Sequence, residues 1–389
     1  MTKNRHQTPQ SAYIHIPFCE HRCAYCNFTL IANRQDLVPA FLEAIDRELQ
    51  TLGQAMPIQT LFLGGGTPTY LSESELNQLF DSLDRWLPRQ PHHETSVEAN
   101  PNDISPAKLQ LLTNRQVNRL SLGIQSFDNT KLRALDRSHT SDQCFASVQL
   151  TREWLDNVAV DLIFAAPGET QSTWQRDLET AVKLGVQHLS TYGLTFERGT
   201  RFWSDLQKQR IHRSEEDAEL SMYRAAIATL TSAGFEHYEV SNFAMPGHRC
   251  RHNEVYWQGK TYFAFGPGAA RFVDGQRETN HRSTTTYLKR MQQGSSPTAE
   301  SETLADEDYA RERLVFGLRR LEGIQFEDFH RDTGYSLESI GGAALRRYLQ
   351  SGWLEISQDT IRLTRQGLFI SDALWPDLLV AENANECAT

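Results

Sequence analysis

The sequence AYIHIPFCEHRCAYC, residues 12–26, joins an apolar run to three closely spaced cysteines. Its first part has the β-branched and aromatic character of a buried strand. The cysteines Cys19, Cys23 and Cys26 follow at C-x3-C-x2-C spacing. Parallel α/β folds place their active sites just after the strands, so this stretch indicates both a fold and the position of its site.

Three thiols so close together in a chain of this size indicate a metal centre rather than disulfides. A cubane iron–sulfur cluster has four iron corners, and three cysteines leave one iron open to bind a small molecule. The spacing alone leaves two alternatives open. A zinc site would need a fourth ligand, such as His15 or His21. Cys23 and Cys26 could also form a redox pair.

Composition favours a folded protein of a reducing compartment. The chain has 389 residues, 39% of them hydrophobic, and a formal net charge of −10, so no nucleic-acid partner is expected. The polar start predicts no signal peptide, and no apolar run approaches the ~18 residues of a membrane span. The other cysteines, Cys144, Cys250 and Cys387, are scattered. We expect a cytoplasmic protein, with contact at a membrane surface left open.

Strand-like and helix-like stretches alternate up to about residue 210. The strand-like runs are residues 12–16, 60–63, 95–98, 119–124, 158–164 and 188–194, and the helix-like stretches are residues 38–52, 73–87, 106–113, 142–154 and 172–184. Six strand–helix units in succession imply a parallel sheet with right-handed crossovers. Such a sheet is either doubly wound or curled into a full or partial barrel, and the polar and glycine-rich residues that follow the strands favour the curled form. The predicted fold class is α/β, with a partial (βα)6 TIM-like barrel as the expected architecture.

The pattern changes after residue 210, and we predict three regions. The barrel occupies residues 1–210, an α+β extension residues 211–300, and a winged-helix-like cap with a tail residues 301–389. The cap prediction rests on a helix followed by a small hairpin, and the acidic composition favours a packing role over DNA reading.

Within these regions we expect a long helix over residues 215–233 and a frayed tail after Trp375. Strand-like runs at residues 235–243 and 262–273 flank a predicted loop that holds Cys250, His252 and Trp257.

Polar residues after the other strands complete a candidate ligand site. The run GGGTPT at residues 64–69 allows positive φ and close backbone approach, so its N–H and C=O groups could bind an amino-acid-like ligand. A tight turn explains the same glycines equally well. Asp161 lies within an apolar strand and must pair, for example with Arg137, or bind a polar ligand. Glu98 and Gln125 would join them around one barrel mouth.

The order of these motifs resembles the radical S-adenosylmethionine superfamily, most of all its coproporphyrinogen-oxidase-like branch. The resemblance spans residues 11–375 and rests on the cysteine motif, GGGTPT, EANP at residues 98–101 and GIQSF at residues 123–127. It implies a 4Fe–4S cluster on Cys19, Cys23 and Cys26, whose open iron is chelated by the amine and carboxylate of S-adenosylmethionine. The cofactor contacts of the family carry over onto Tyr13, Gly65, Gly66, Thr67, Glu98, Gln125, Arg137 and Asp161.

Two features distinguish members of this branch. The oxygen-independent coproporphyrinogen oxidases carry an additional cysteine two residues beyond the third, and this chain has Phe28 there. Residues 252–257 read HNEVYW and match the H-N-x-x-Y-W signature of the haem chaperones of the branch. The resemblance implies haem as a third cofactor, with His252 at its site.

Two segments depart from the pattern of the family. Residues 165–170 read AAPGET where relatives more often have GLPGQT, and Arg271 replaces a smaller residue or a histidine. These changes affect expectations for the substrate pocket rather than for the cluster. We hypothesise that Arg271 pairs with a haem propionate.

The resemblance implies a haem chaperone that passes haem to an acceptor haemoprotein. A respiratory, membrane-associated acceptor and a homodimer are expected by resemblance alone, and no residue is assigned as catalytic. The alternative is an oxygen-independent coproporphyrinogen III oxidase, which decarboxylates its substrate to protoporphyrinogen IX by radical chemistry; Phe28 argues against it. A third hypothesis is a zinc-stabilised barrel without a redox role.

Overall fold

The computed structural model describes residues 6–380. The polar start at residues 1–5 and the end of the tail at residues 381–389, with Cys387, lie outside the described residues. Between them, the strands are β1 Ser11–Ile16, β2 Phe18–Cys19, β3 Ile31–Ala32, β4 Ile58–Gly65, β5 Arg89–Ala99, β6 Arg119–Gln125, β7 Val158–Phe164, β8 His188–Gly193, β9 Glu236–Glu239, β10 Asn242–Ala244, β11 Phe263–Phe265, β12 Ala270–Val273, β13 Gln276–Asn280, β14 Thr298–Thr303, β15 Ile324–Gln325, β16 Leu354–Ser357 and β17 Thr360–Leu363.

The helices of the described chain alternate with these strands. They are α1 Val38–Gln50, α2 Glu73–Trp86, α3 Pro106–Asn114, α4 Asn129–Ala134, α5 Ser141–Arg152, α6 Gln171–Lys183, α7 Arg201–Gln207, α8 Glu216–Ser232, α9 Arg251–Trp257, α10 Thr284–Gln292, α11 Asp306–Arg319, α12 Phe326–Thr333, α13 Leu337–Gln350, α14 Arg365–Phe369 and α15 Ser371–Leu379. No helix between residues 6 and 380 combines the length and apolar character needed to cross a membrane.

One large sheet carries the barrel. Its strand order is β11-β1-β4-β5-β6-β7-β8-β10-β9, and β1, β4, β5, β6, β7 and β8 run parallel to their neighbours in that series. A helix follows each parallel strand, as expected where crossovers cover the outer face. The prediction of a partial (βα)6 barrel is confirmed. All six carboxyl ends therefore meet at one edge of the sheet, where the candidate site lies.

The extension is built into the same sheet. Strand β11 pairs in parallel with β1, aligning Ala12 with Phe263. At the opposite edge β10 pairs antiparallel with both β8 and β9. The sheet thus crosses the predicted boundary at residue 210, and the three-region division remains a proposal.

The predicted loop before β11 is wrong in part. Residues 251–257, which include His252 and Trp257, form helix α9, and Cys250 is the residue before it. The short polar stretch HNEVYW showed too few apolar repeats for its helical period to be recognised. The predicted strand over residues 262–273 is also interrupted, because Gly266 and Gly268 turn the chain between β11 and β12.

A smaller unit follows α11. Strands β15, β17 and β16 form a three-stranded antiparallel sheet, and α12 and α13 precede its β16–β17 hairpin, as in a winged helix. The predicted fraying after Trp375 is wrong as far as Leu379, because α15 continues to that residue and buries Leu378.

Candidate functional site

The cysteine loop leaves the carboxyl end of β1 and returns through β3. Cys19 and Cys23 are buried, and Cys26 is half-buried. The Sγ of Cys19 lies 3.2 Å from Thr67 Oγ1, and Arg137 Nη1 donates to Cys23 Sγ at 3.2 Å. Two of the three sulfur atoms therefore already face hydrogen-bond donors that would stabilise a thiolate.

The three cysteines line one cavity of about 550 Å³ at the carboxyl ends of the strands. Seven of the eight predicted cofactor contacts line the same cavity, namely Gly65, Gly66, Thr67, Glu98, Gln125, Arg137 and Asp161. The eighth, Tyr13, lies deeper in the barrel. The structure thus brings together residues spread over more than 140 positions of sequence, because the parallel strands end at one edge.

The glycine run lets two loops touch. A Cβ on Gly66 would lie 2.5 Å from Phe18 O and 2.8 Å from Ile16 O, closer than real contacts allow. Gly65 has φ +107° and packs against the ring of His15. Only glycine fits both positions, so GGGTPT is more than a turn: it seats the β4 loop against the cysteine loop.

Asn100, which sequence reasoning did not assign to the site, connects Arg137 on one side of the cavity with Thr67 on the other. Its Oδ1 accepts from Arg137 Nη2 at 2.7 Å, and its Nδ2 donates to Thr67 Oγ1 at 2.9 Å. Since Thr67 accepts that hydrogen, its own hydroxyl proton is free to point at Cys19. The only sequence signal was its place in EANP, directly after the third parallel strand.

Glu98 and Asp161 face the cavity without a cationic partner at ion-pair distance in the described chain. Burial, and next the nearby Asp161, raise the pKa of Glu98 to about 7. Burial also raises the pKa of Asp161, against hydrogen bonds from Ser190 and Ser121. The predicted Arg137–Asp161 pair does not form, because Arg137 instead bonds Asn100, Cys23 and Gly123 O. Of the two interpretations of Asp161, ligand binding is the one that the geometry favours.

The donor set fits a cluster and S-adenosylmethionine better than zinc. His15 is bonded through Nδ1 to Tyr13 and through Nε2 to Thr29 O, and His21 contacts Asp136. No group of three or more His, Cys, Asp or Glu side chains in residues 6–380 is arranged to hold a single metal ion. The thiols of a cubane bind separate irons and need not converge on one point.

One hydrogen-bond donor in the cavity, the Nε of Arg137, is available to bind an anion. The Nε of Arg137 is buried and has no hydrogen-bond partner among the described residues. A carboxylate in the cavity would supply one. Burial also raises the pKa of Cys19 to about 12, so the free thiol is protonated and binding of iron by it would have to release that proton.

His252 lies at the other end of the barrel. It is 1% exposed, its Nδ1 is 2.9 Å from Thr60 Oγ1 in β4, and its Nε2 is 2.9 Å from Tyr256 Oη. Burial, and next the charge of Arg119, lower the pKa of His252 to about 3, so the ring is neutral. With Tyr13 it lines an inner cavity of about 220 Å³ that shares Glu98 with the larger one.

Helix α9 is fixed in this position by Glu94. This buried carboxylate accepts hydrogen bonds at 3.0 Å from the backbone N–H groups of Arg251 and His252. A carboxylate on the first N–H groups of a helix both satisfies them and complements the helix dipole. Both ring nitrogens of His252 are also occupied, so the imidazole is not presented to a ligand in this conformation.

The structure also places two other residues that the sequence analysis singled out. Arg271 is not free for a propionate, because its Nη2 forms an ion pair with Glu278 at 2.7 Å across the β12–β13 hairpin. Phe28, which replaces the additional cysteine, is 64% exposed at the mouth of the large cavity.

Comparison with known families agrees with this geometry. The model of the radical SAM superfamily matches residues 13–181, and that of the HemN C-terminal domain matches residues 304–370. Together the barrel and its cap define a radical SAM protein of the coproporphyrinogen-oxidase-like branch, which confirms the resemblance. Membership of the superfamily implies a 4Fe–4S cluster and S-adenosylmethionine.

Similar proteins cover nearly the whole chain. It is 34% identical to "Heme chaperone HemW" of Bacillus subtilis (strain 168), over 94% of this chain and 98% of that protein. It is 32% identical to "Radical S-adenosyl methionine domain-containing protein 1, mitochondrial" of Danio rerio, over 96% and 88%. The chain belongs to the HemW family of radical SAM proteins.

The fold has a solved counterpart. Coproporphyrinogen III oxidase (HemN) from Escherichia coli matches with a TM-score of 0.84 at 21% identity, over 96% of this chain and 90% of that one. At that identity the match shows the fold.

Proposed function

We propose that the protein is a haem chaperone that binds haem and transfers it to an acceptor haemoprotein. The observation that carries this proposal is the near full-length similarity to proteins named haem chaperone HemW, together with HNEVYW at residues 252–257. Phe28 in place of an additional cysteine supports the same choice over coproporphyrinogen III oxidation.

The large cavity would hold the family cofactors. Cys19, Cys23 and Cys26 would bind a 4Fe–4S cluster, which when bound supplies an open iron for the amine and carboxylate of S-adenosylmethionine and a site for one-electron reduction. Arg137 would neutralise the cofactor carboxylate through its unpartnered Nε. Glu98 and Asp161 would accept hydrogen bonds from its hydroxyl or amino groups, which matches their lack of cationic partners.

Haem ligation through His252 would require α9 to move. The Tyr256 hydroxyl and Thr60 would have to release the ring nitrogens, and the Glu94 contacts would have to break. The neutral ring is the form that binds iron, so its lowered pKa suits this role once the ring is uncovered. A closed resting state would keep the free protein from binding other metals through this histidine.

The location, acceptor and assembly of the protein are also proposed from the family resemblance. We infer a cytoplasmic protein that meets its acceptor at the membrane surface, with a respiratory haemoprotein as the expected acceptor class and a homodimer as the expected assembly. Nucleic acid is not expected as a partner at a net charge of −10.

The test is an anaerobic haemin titration of the wild type and His252→Gln, followed by Soret absorbance. His188→Gln is the matched control, because His188 is another fully buried histidine of the barrel that lies outside HNEVYW. We expect the Soret band of histidine-ligated haem in the wild type and the control, and a sharp loss of that band in His252→Gln. An equal band in all three proteins would remove His252 from the site. No saturable binding by the wild type would overturn the chaperone proposal, and anaerobic conversion of coproporphyrinogen III would then favour the oxidase.

A further inference from the structure

A basic groove lies beside the mouth of the cofactor cavity. It runs between residues 27–31, residues 198–199 and residues 282–285, with Arg22 at its side, and encloses about 460 Å³. Asn27, Phe28 and Leu30 line both the groove and the cavity. The groove is therefore an outer continuation of the cofactor site, formed largely by the returning arm of the cysteine loop.

Three arginines give the groove its charge. Arg22, Arg198 and Arg282 line it, and no Asp or Glu among the described residues does so. Arg22 donates to Leu30 O at 2.7 Å and Arg282 to Asn27 O at 3.2 Å, while Arg198 stacks over Trp203 at 5.7 Å. Backbone carbonyls and a ring orient a guanidinium but do not neutralise it. In residues 6–380 none of the three arginines forms an ion pair with a carboxylate.

This concentration of positive charge is unusual for the chain. The protein carries ten more acidic than basic side chains, and most of its other arginines are paired with them. Three like charges around one groove repel one another, so the arrangement favours an anionic ligand. Arginine also matches carboxylates geometrically, through two parallel N–H donors.

Phe28 adds an apolar contact to this charge. Its side chain is 64% exposed, the largest exposed fraction among the large hydrophobic residues of the described chain. An aromatic ring left in water at the edge of a concave site indicates a flat apolar partner, because stacking against it removes apolar surface from both. The ligand should therefore combine an aromatic face with carboxylates.

We propose that this groove binds haem, with its propionate carboxylates on Arg198 and Arg282 and its macrocycle against Phe28. The volume lies in the ~300–1,000 Å³ range of small-molecule sites, which favours a cofactor over a protein surface. The inference rests on the proposed function for the identity of the ligand, but it does not depend on His252. It assigns haem a docking site at the carboxyl end of the barrel, beside the cysteines and separate from ligation by His252, so His252→Gln should lose histidine ligation and keep this docking.

The test compares a groove variant with a matched control. Phe28→Ala/Arg198→Gln removes the exposed ring and one arginine that does not hold the cysteine loop. Ile356→Ala/Arg346→Gln removes an exposed apolar residue and an exposed arginine from the C-terminal unit. Each protein is titrated with haemin and with haemin dimethyl ester, whose propionates are uncharged, after its iron content has been matched to the wild type.

We expect the groove variant to bind haemin about tenfold more weakly than the wild type and the control, which corresponds to ~1.4 kcal/mol. The dimethyl ester should bind the wild type as weakly as haemin binds the groove variant. Unchanged haemin affinity in the groove variant would overturn the proposal while leaving the chaperone function intact. Equal affinity for haemin and its ester would overturn carboxylate recognition. Absence of haemin binding by the wild type would instead overturn the proposed function itself.

Discussion

The two ends of the barrel handle their ionisable groups differently. At the carboxyl end, Arg137 Nε, Glu98 and Asp161 face an open cavity without an ionic partner in the described chain. At the amino end, His252 and Glu94 are buried and fully engaged with α9 and β4. Both ends carry residues of family motifs, but those at the carboxyl end face an open cavity, whereas both ring nitrogens of His252 are already hydrogen-bonded. Motif residues therefore divide into those ready for a ligand and those that must first be released.

The largest effect is expected from a substitution at the carboxyl end, which we call the open end of the barrel because its charged groups face a cavity. Cys19→Ala removes one of the three proposed cluster ligands, and we expect it to lose most of the iron and brown absorbance after anaerobic reconstitution. Cys144→Ala is the control, because Cys144 is buried on α5 away from the cavity. Circular dichroism would check that both variants fold. Iron content equal to wild type in Cys19→Ala would show that this thiol is not a ligand.

At the amino end of the barrel, we expect substitutions to change the free energy of unfolding rather than the iron content. Glu94→Ala leaves two backbone N–H groups at the start of α9, one of them buried, without their acceptor, and we expect it to lower the free energy of unfolding by about 2–4 kcal/mol. At about pH 4.5 or below, Glu98→Gln, four residues further along the same strand, should change it by less than about 1 kcal/mol, because an amide resembles the carboxyl group that is then protonated in the folded protein. Urea unfolding of both variants at that pH measures the difference, and equal losses would refute the contrast between the two ends.

The pH dependence of the open end follows from Glu98. Below its unfolded pKa near 4.5 the carboxyl group is protonated in both states and contributes nothing. Above that pH the unfolded chain ionises first, because the folded pKa is raised to about 7, so stability falls between about pH 4.5 and 7 and then levels off. The cofactor-free wild type should lose stability relative to Glu98→Gln over this window. A constant difference between the two proteins across that range would show that Glu98 ionises normally.

The smallest effect concerns a departure from the family pattern at the open end. Ala165 follows β7 with φ +61°, a left-handed conformation that costs a residue with a Cβ about 1–2 kcal/mol. Ala165→Gly should relieve that strain, partly offset by the greater freedom of glycine in the unfolded chain, for a net gain of about 0.5 kcal/mol. Thermal unfolding would detect it. A loss of stability would mean that the alanine methyl group packs favourably.

The sequence predicted the parts of the fold that depend on local pattern. Alternating apolar runs predicted the six parallel strands, and the placement of motifs after those strands predicted one shared edge. The cavity follows from that topology, which is why seven of eight predicted contacts line it. The HNEVYW motif could be recognised, but its burial under Tyr256 could not, because a histidine in a short polar stretch gives no sign of what packs over it.

Polar contacts between residues far apart in the chain could not be predicted either, because a local pattern does not show which residues will meet. Glu48 has the spacing of an ordinary helix residue, yet it is 1% exposed and accepts hydrogen bonds from Tyr287, Gly266 N and Asn280. Lys131 is buried between Glu169 and Asp177. Buried carboxylates of this kind are costly unless paired, and their partners lie up to 239 positions away. No local pattern identifies such pairs.

The pairing of β1 with β11 has a consequence for biosynthesis. The strand that leads into the cysteine loop has one of its two neighbours at residues 263–265, about 250 positions later in the chain. At translation rates of about 5–20 residues per second, that neighbour emerges some 12–50 s after β1. Until then the first strand is an uncovered sheet edge, open to aggregation. Loading of the proposed cluster is therefore expected after synthesis of the extension, and a nascent chain stalled before residue 260 should be unable to retain iron.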